Sequence, residues 1–179
     1  MKSIDLVILA GGKGTRIKQY LNNKPKPMLK FNNIYFLRYL INNYAKYPFK
    51  KIYILTGFKS DIIFKNFHNK IFNFIKVKCI KEKKLLGTGG ALYAALTEIK
   101  NSTSEFIGVS FGDEPFLSQA MFMQTLVSHF IAQADITLCA KVPETVVDKG
   151  GLFFDADGRF YGTTEWYDMT QAEQSYMRA

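Results

Sequence analysis

The stretch Ile4-Asp5-Leu6-Val7-Ile8-Leu9-Ala10-Gly11-Gly12-Lys13-Gly14-Thr15-Arg16 decides how this chain is read. Ile4 to Ala10 is an apolar run of one strand's length, interrupted by a single acid, and it feeds directly into three glycines within four residues. Glycine lets the backbone turn sharply and bring bare amides against a ligand that side chains would hold away. A buried strand delivering such a loop predicts a phosphate cradle at the strand's carboxyl end. Neither common phosphate signature fits. A Walker loop needs Gly-Lys followed by Ser or Thr, whereas Lys13 stands between glycines; a dinucleotide fingerprint needs a third glycine where Ile17 stands.

Ten residues beyond Arg16 lies Lys26, within Lys24-Pro25-Lys26-Pro27-Met28, where two prolines fix φ and stiffen the segment. A pinned cation beside a glycine cradle suits a polyphosphate. A second glycine loop, Leu86-Gly87-Thr88-Gly89-Gly90-Ala91, is expected between a strand and a helix, where its backbone can meet a flat ring edge-on. Glu82 precedes it. A carboxylate only accepts hydrogen bonds, and guanine offers adjacent N1–H and N2–H donors, so Glu82 leans toward guanine; the competing reading is a solvated member of Lys81-Glu82-Lys83-Lys84. Asp113, after Phe111-Gly112, ends a strand expected beside the first, which suits a hard cation such as Mg²⁺ held against phosphates. A turn cap ahead of Pro115 is the alternative for Asp113.

Outward from these loops the pattern alternates. Helices are expected over 34–47, 61–67, 88–99 and 119–132, and strands over 51–56, 74–80, 106–111 and 135–141. Asp155-Ala156-Asp157-Gly158 between two extended runs signals a hairpin, and Thr170 with Glu173 a capping box. Such alternation predicts a mainly parallel sheet with helices on both faces and ligands at the strands' carboxyl ends.

The chain's 179 residues suit one domain over 1–179. No apolar run approaches the roughly 20 residues that span a bilayer. Cys79 and Cys139 form no Cys-x-x-Cys pair and read as core thiols, and His68 and His129 are isolated, so neither a disulfide framework nor a zinc site is expected and the cytoplasm fits. Residues 1–104 hold 20 of the 24 Lys and Arg and only 4 acids, a formal +16, while residues 105–179 carry −7. The lysines accompany abundant Asn, Ile and Phe in the manner of a general bias, which argues against a nucleic-acid surface.

Leu9 to Arg16, Lys24 to Met28, Leu86 to Ala91 and Gly112-Asp113, in this order, resemble the sugar-1-phosphate nucleotidylyltransferases. The first half is most similar to guanylyltransferases acting on heptose or mannose 1-phosphate. From Gly112, Gly-Asp-Glu-Pro-Phe-Leu and the hairpin Gly151–Glu165 look more like the uridylyltransferase domain for N-acetylglucosamine 1-phosphate. The resemblance implies a Rossmann-like three-layer α/β/α domain, truncated at its C-terminus, with a nucleotide-binding half at 1–113 and a partial sugar-binding half at 114–179. It implies a Mg²⁺-dependent transferase joining an NTP, GTP by preference, to a sugar 1-phosphate, with assembly into a homo-oligomer compatible. By the same carry-over Leu9, Ala10, Gly11 and Gly12 contact the nucleoside, Gly14, Thr15 and Arg16 cradle the triphosphate, and Arg16 and Lys26 stabilise charge on the reacting phosphates. Glu82, Gly87 and Thr88 read the base, Asp113 holds the metal, and Gly151 and Glu165 face the sugar. The family commonly has a lysine one or two residues after the hairpin glutamate, whereas Glu165 is followed by Trp166 and Tyr167. The alternatives are a nucleotide-binding module without turnover and a UTP- or CTP-using relative.

Overall fold

Aliphatic residues on both faces make β1 (Ile4–Ala10) the kind of strand that belongs in the middle of a sheet, and it lies there. The structure is a computed structural model describing residues 2–82, 87–114, 119–140 and 150–176. After β1 come two short 3-10 turns, Thr15–Tyr20 and Lys26–Met28, then β2 (Lys30–Phe31), β3 (Ile34–Tyr35), α1 (Phe36–Tyr44), β4 (Phe49–Thr56) and α2 (Ser60–Phe67). These are followed by β5 (Ile71–Phe72), β6 (Ile75–Lys81), α3 (Gly87–Ile99), β7 (Phe106–Phe111) and α4 (Gln119–Ala132). The main sheet has the order β5-β6-β4-β1-β7, parallel throughout except for β5.

Alternation along β1 builds two cores. Leu6, Ile8 and Ala10 meet Leu37, Leu40 and Ile41 of α1 and Ile63 and Phe67 of α2. Val7 faces the other way, with Tyr53, Leu55 and Ile80, against Ala91, Ala95 and Ile99 of α3. Phe122 of α4 packs edge-on to Tyr44 at 5.2 Å, on the α1 side. The result is the expected α/β/α layering, and β1 stands where chain order reverses, with β4 on one side and β7 on the other. In open α/β sheets the crevice at that switch, beyond the strands' carboxyl ends, is where ligands bind. At the opposite end of β1 the fully buried Asp5 accepts hydrogen bonds from Ser102 Oγ (2.5 Å) and Ser104 Oγ (2.9 Å), tying the start of β1 to the turn before β7.

The asparagines of the first half have a local use. Asn32-Asn33 joins β2 to β3 with both φ positive (47° and 62°), and Asn73-Phe74 joins β5 to β6 likewise (45° and 70°). Two-residue hairpins of this kind use left-handed geometry, which asparagine tolerates readily and Phe74 adopts at a cost. The first of these turns also shortens the expected helix 34–47: Ile34 and Tyr35 are claimed by β3, and α1 begins at Phe36.

Contacts group Met1–Ala134 into one compact unit and Asp135–Ala179 into another. In the second, β8 (Gly151–Phe154) and β9 (Phe160–Thr164) form the expected hairpin, with Gly158 at φ +75° and Asp155 Oδ1 accepting from the amides of Asp157 and Arg159. Phe153, Trp166 and Met169 form its small core. α5 (Gln171–Tyr176) opens with the capping box: Glu173 Oε2 accepts from the Thr170 amide and hydroxyl, which hold its carboxyl below the usual range, and Thr170 Oγ1 accepts from the Glu173 amide.

Two expectations are corrected. Asp135–Ala140 is not a strand: Ile136 and Leu138 are 78% and 57% exposed, and among the described residues no strand pairs with the segment; Lys141 lies outside the described residues. Cys139, on this same segment, is exposed rather than core, while Cys79 on β6 is buried. Among the described residues no helix is long and apolar enough to cross a membrane.

Candidate active site

Two glycines of the cradle, Gly11 and Gly14, stand where a β-carbon would crowd a neighbouring side chain. A β-carbon at Gly11 would lie 2.8 Å from Glu82 Oε2 and 3.4 Å from the Gly57 amide nitrogen. Gly14 adopts φ +63°, and a β-carbon there would meet Leu21 Cδ1 at 2.9 Å. Left-handed backbone at Gly14 starts the turn Thr15–Tyr20 and folds the chain back toward Lys26. Pro25 (φ −62°) precedes the turn Lys26–Met28, whose Pro27 and Met28 are buried, so Lys26 projects from an anchored backbone. Gly112 is the matching element on β7: its amide donates to Leu9 O at 2.8 Å, and a β-carbon would lie 3.1 Å from that oxygen and 3.3 Å from Pro27 Cγ. This closeness brings Asp113 to Lys26, Nζ to Oδ2 2.6 Å.

Glu82 enters from the far side of β4. Its amide donates to Thr56 O at 2.7 Å, and Thr56 Oγ1 donates to Ile80 O at 3.1 Å, clamping the ends of β4 and β6 together. The side chain is buried against Gly11, so the solvated reading of the Lys81–Lys84 run does not apply to Glu82.

These elements enclose a cleft of about 710 Å³. Leu9, Ala10, Gly11, Gly12, Gly14, Thr15, Lys26, Glu82, Gly87, Thr88 and Asp113 all line it, drawn from the ends of β1, β6 and β7, the Lys26 turn and the start of α3. The second glycine stretch is a helix start rather than a loop: α3 begins at Gly87, at φ +78°, so Thr88 and its neighbours present first-turn amides. Leu86 lies outside the described residues. Arg16 sits in the turn Thr15–Tyr20, and its side chain is outside what the structure describes. Gly151 pairs with Thr164 on the β8–β9 hairpin, and Glu165 follows it, both within the second compact unit.

Lys13, Ile17, Leu55, Ala91 and Phe111 also line the cleft. Leu55 and Phe111 were legible from the rule that parallel strands present their carboxyl ends to ligands. The donor set suits Mg²⁺ in a particular way. Among the described residues no three His, Cys, Asp or Glu cluster, and a small hard cation that keeps waters and shares phosphate oxygens needs only one or two carboxylates. Asp113 and Glu82 are the carboxylates that line the cleft.

A family model for the MobA-like NTP transferase domain matches residues 6–147. The D-glycero-alpha-D-manno-heptose 1-phosphate guanylyltransferase of Aneurinibacillus thermoaerophilus is 30% identical over 156 residues, covering 87% of this chain and 65% of that enzyme. Its counterpart from Campylobacter jejuni is 36% identical over 107 residues, 60% of this chain and 48% of that enzyme. The chain thus spans less than two thirds of either relative's length. The crystal structure of HddC from Yersinia pseudotuberculosis superposes with a TM-score of 0.61 at 25% identity, covering 90% of this chain and 68% of that one.

Proposed function

The chain belongs to the MobA-like NTP transferase domain family, and from that premise we propose that it transfers a nucleotidyl group from an NTP, GTP by preference, to a sugar 1-phosphate. The observation that carries the reading is convergence. A glycine cradle, an anchored lysine, a buried carboxylate and a metal-suited aspartate, separated by up to a hundred residues in sequence, line one cleft. Guanylyltransferases for heptose 1-phosphate are among its relatives, which supports the choice of GTP.

In this mechanism Leu9 to Gly12 contact the nucleoside, Gly14 to Arg16 cradle the triphosphate, and Glu82 accepts hydrogen bonds from guanine N1–H and N2–H while Gly87 and Thr88 border the base. Arg16 and Lys26 neutralise charge on the phosphates. A sugar 1-phosphate oxygen attacks the α-phosphorus in line; a new P–O bond forms as the bond to the β-phosphate oxygen breaks, and pyrophosphate leaves. Asp113 would hold Mg²⁺, which when bound would add charge neutralisation. Positioning and preorganised charge supply the rate, with one such contact worth about 10²–10³ in turnover. Gly151 and Glu165 are assigned to the sugar. The test is pyrophosphate release from GTP, Mg²⁺ and heptose or mannose 1-phosphate. Glu165-Trp166-Tyr167, without the expected lysine, favours a second reading, a nucleotide-binding module without turnover. No pyrophosphate, together with a melting temperature raised by GTP, selects the second reading over the first.

A further inference from the structure

We propose that the Lys26–Asp113 ion pair couples the two ligands of the cleft, so that a triphosphate and a divalent cation bind well only together; this rests on the NTP reading above. The pair is a property of the fold. Lys26 stands on a turn whose Pro27 and Met28 are buried, and Asp113 follows Gly112, which is held against Leu9 and Pro27. Their charged atoms are 2.6 Å apart, with each side chain about one third exposed (37% and 33%). At that distance the pair is charge-assisted and already satisfied.

A phosphate oxygen that takes the Lys26 ammonium therefore leaves the Asp113 carboxylate uncompensated beside added negative charge. A cation that takes Asp113 sets the ammonium beside another positive charge. Either ligand alone exchanges one attraction for one repulsion. Both together exchange one pair for two, Lys26 with phosphate and Asp113 with the cation, and charge is conserved. Coupling of this kind is reciprocal, so the factor by which the metal tightens nucleotide equals the factor by which nucleotide tightens metal.

The experiment is isothermal titration at physiological salt, which screens longer-range repulsion. GTP with EDTA is the anion-only probe, and Mn²⁺ followed by electron paramagnetic resonance is the metal-only probe; circular dichroism checks each variant's fold. Asp113→Asn tightens metal-free GTP about tenfold, and the same change in a Lys26→Met background, where no ion pair is broken and only repulsion is relieved, gives a gain at least about threefold smaller. Lys26→Met tightens Mn²⁺ alone. Equal gains from Asp113→Asn in both backgrounds, or no gain in either, overturn the coupling while leaving nucleotide binding intact. Failure of the unmodified protein to bind GTP with Mg²⁺ overturns the nucleotide reading and the coupling with it.

Discussion

Gly11→Ala separates binding chemistry from stability. The new methyl would stand 2.8 Å from Glu82 Oε2, so the carboxylate must retreat by about half an ångström to reach ordinary contact. The Gly57 nitrogen, at 3.4 Å, needs no comparable movement. The clash falls on the end of a side chain, and the fold should survive with a melting midpoint within a few degrees of the parent's, corresponding to less than about 1 kcal/mol. Base reading does not survive so easily. A hydrogen bond of about 2.9 Å stretched by half an ångström leaves the useful range, and one bond to a charged group contributes about 1.5–3 kcal/mol. GTP affinity should fall about tenfold to a hundredfold, with UTP affinity nearly unchanged because uracil presents acceptors on both sides of its single donor. Calorimetric titration of both nucleotides, with Mg²⁺ present, measures the ratio. Equal weakening of GTP and UTP would mean that the methyl obstructs the nucleotide itself, and unaltered GTP binding in a folded protein would remove Glu82 from base recognition.

Lys26→Ala and Arg16→Ala should each lower pyrophosphate release by at least about 10²-fold with unchanged circular dichroism; parental rates in both would take these residues out of the mechanism. Phe74 is 97% exposed at φ +70°, so Phe74→Gly loses no packing and relieves a left-handed phenylalanine. Urea unfolding should show a gain of about 1 kcal/mol, and a loss would mean the aromatic ring contributes more than its exposure implies. Burial pushes the Cys79 thiol up to about 12, whereas Cys139 is exposed. Iodoacetamide at pH 8 should therefore modify Cys139 quickly and Cys79 only on unfolding, read by peptide mass spectrometry. The sign for stability follows: the folded state keeps the Cys79 proton longer, so this contribution is complete below pH 9.0 and is lost as pH rises toward about 12.

What the amino-acid sequence determined by itself was local. Gly14 at φ +63° and Pro25 at φ −62° act on their own backbone and immediate neighbours, so the cradle and the stiffened Lys26 turn were legible without a fold. The same holds for the Thr170–Glu173 capping box and for strands and helices whose apolar period is met by a sheet partner or a packed face. Asp135–Ala140 shows where this fails: alternation states only that one side is apolar, whereas a strand is made by pairing, and among the described residues no strand pairs with this segment. Tertiary structure alone decided the rest. Glu82 is surrounded in sequence by three lysines, which left a solvated reading open beside the guanine one, and the pairing of β4 with β6 carries it under Gly11, 71 residues away. Lys26 and Asp113 are 87 residues apart, and only the placement of β7 beside β1 makes them partners. Charge and hydrogen-bond energies fall off over a few ångströms, a distance that strand order sets and residue spacing does not.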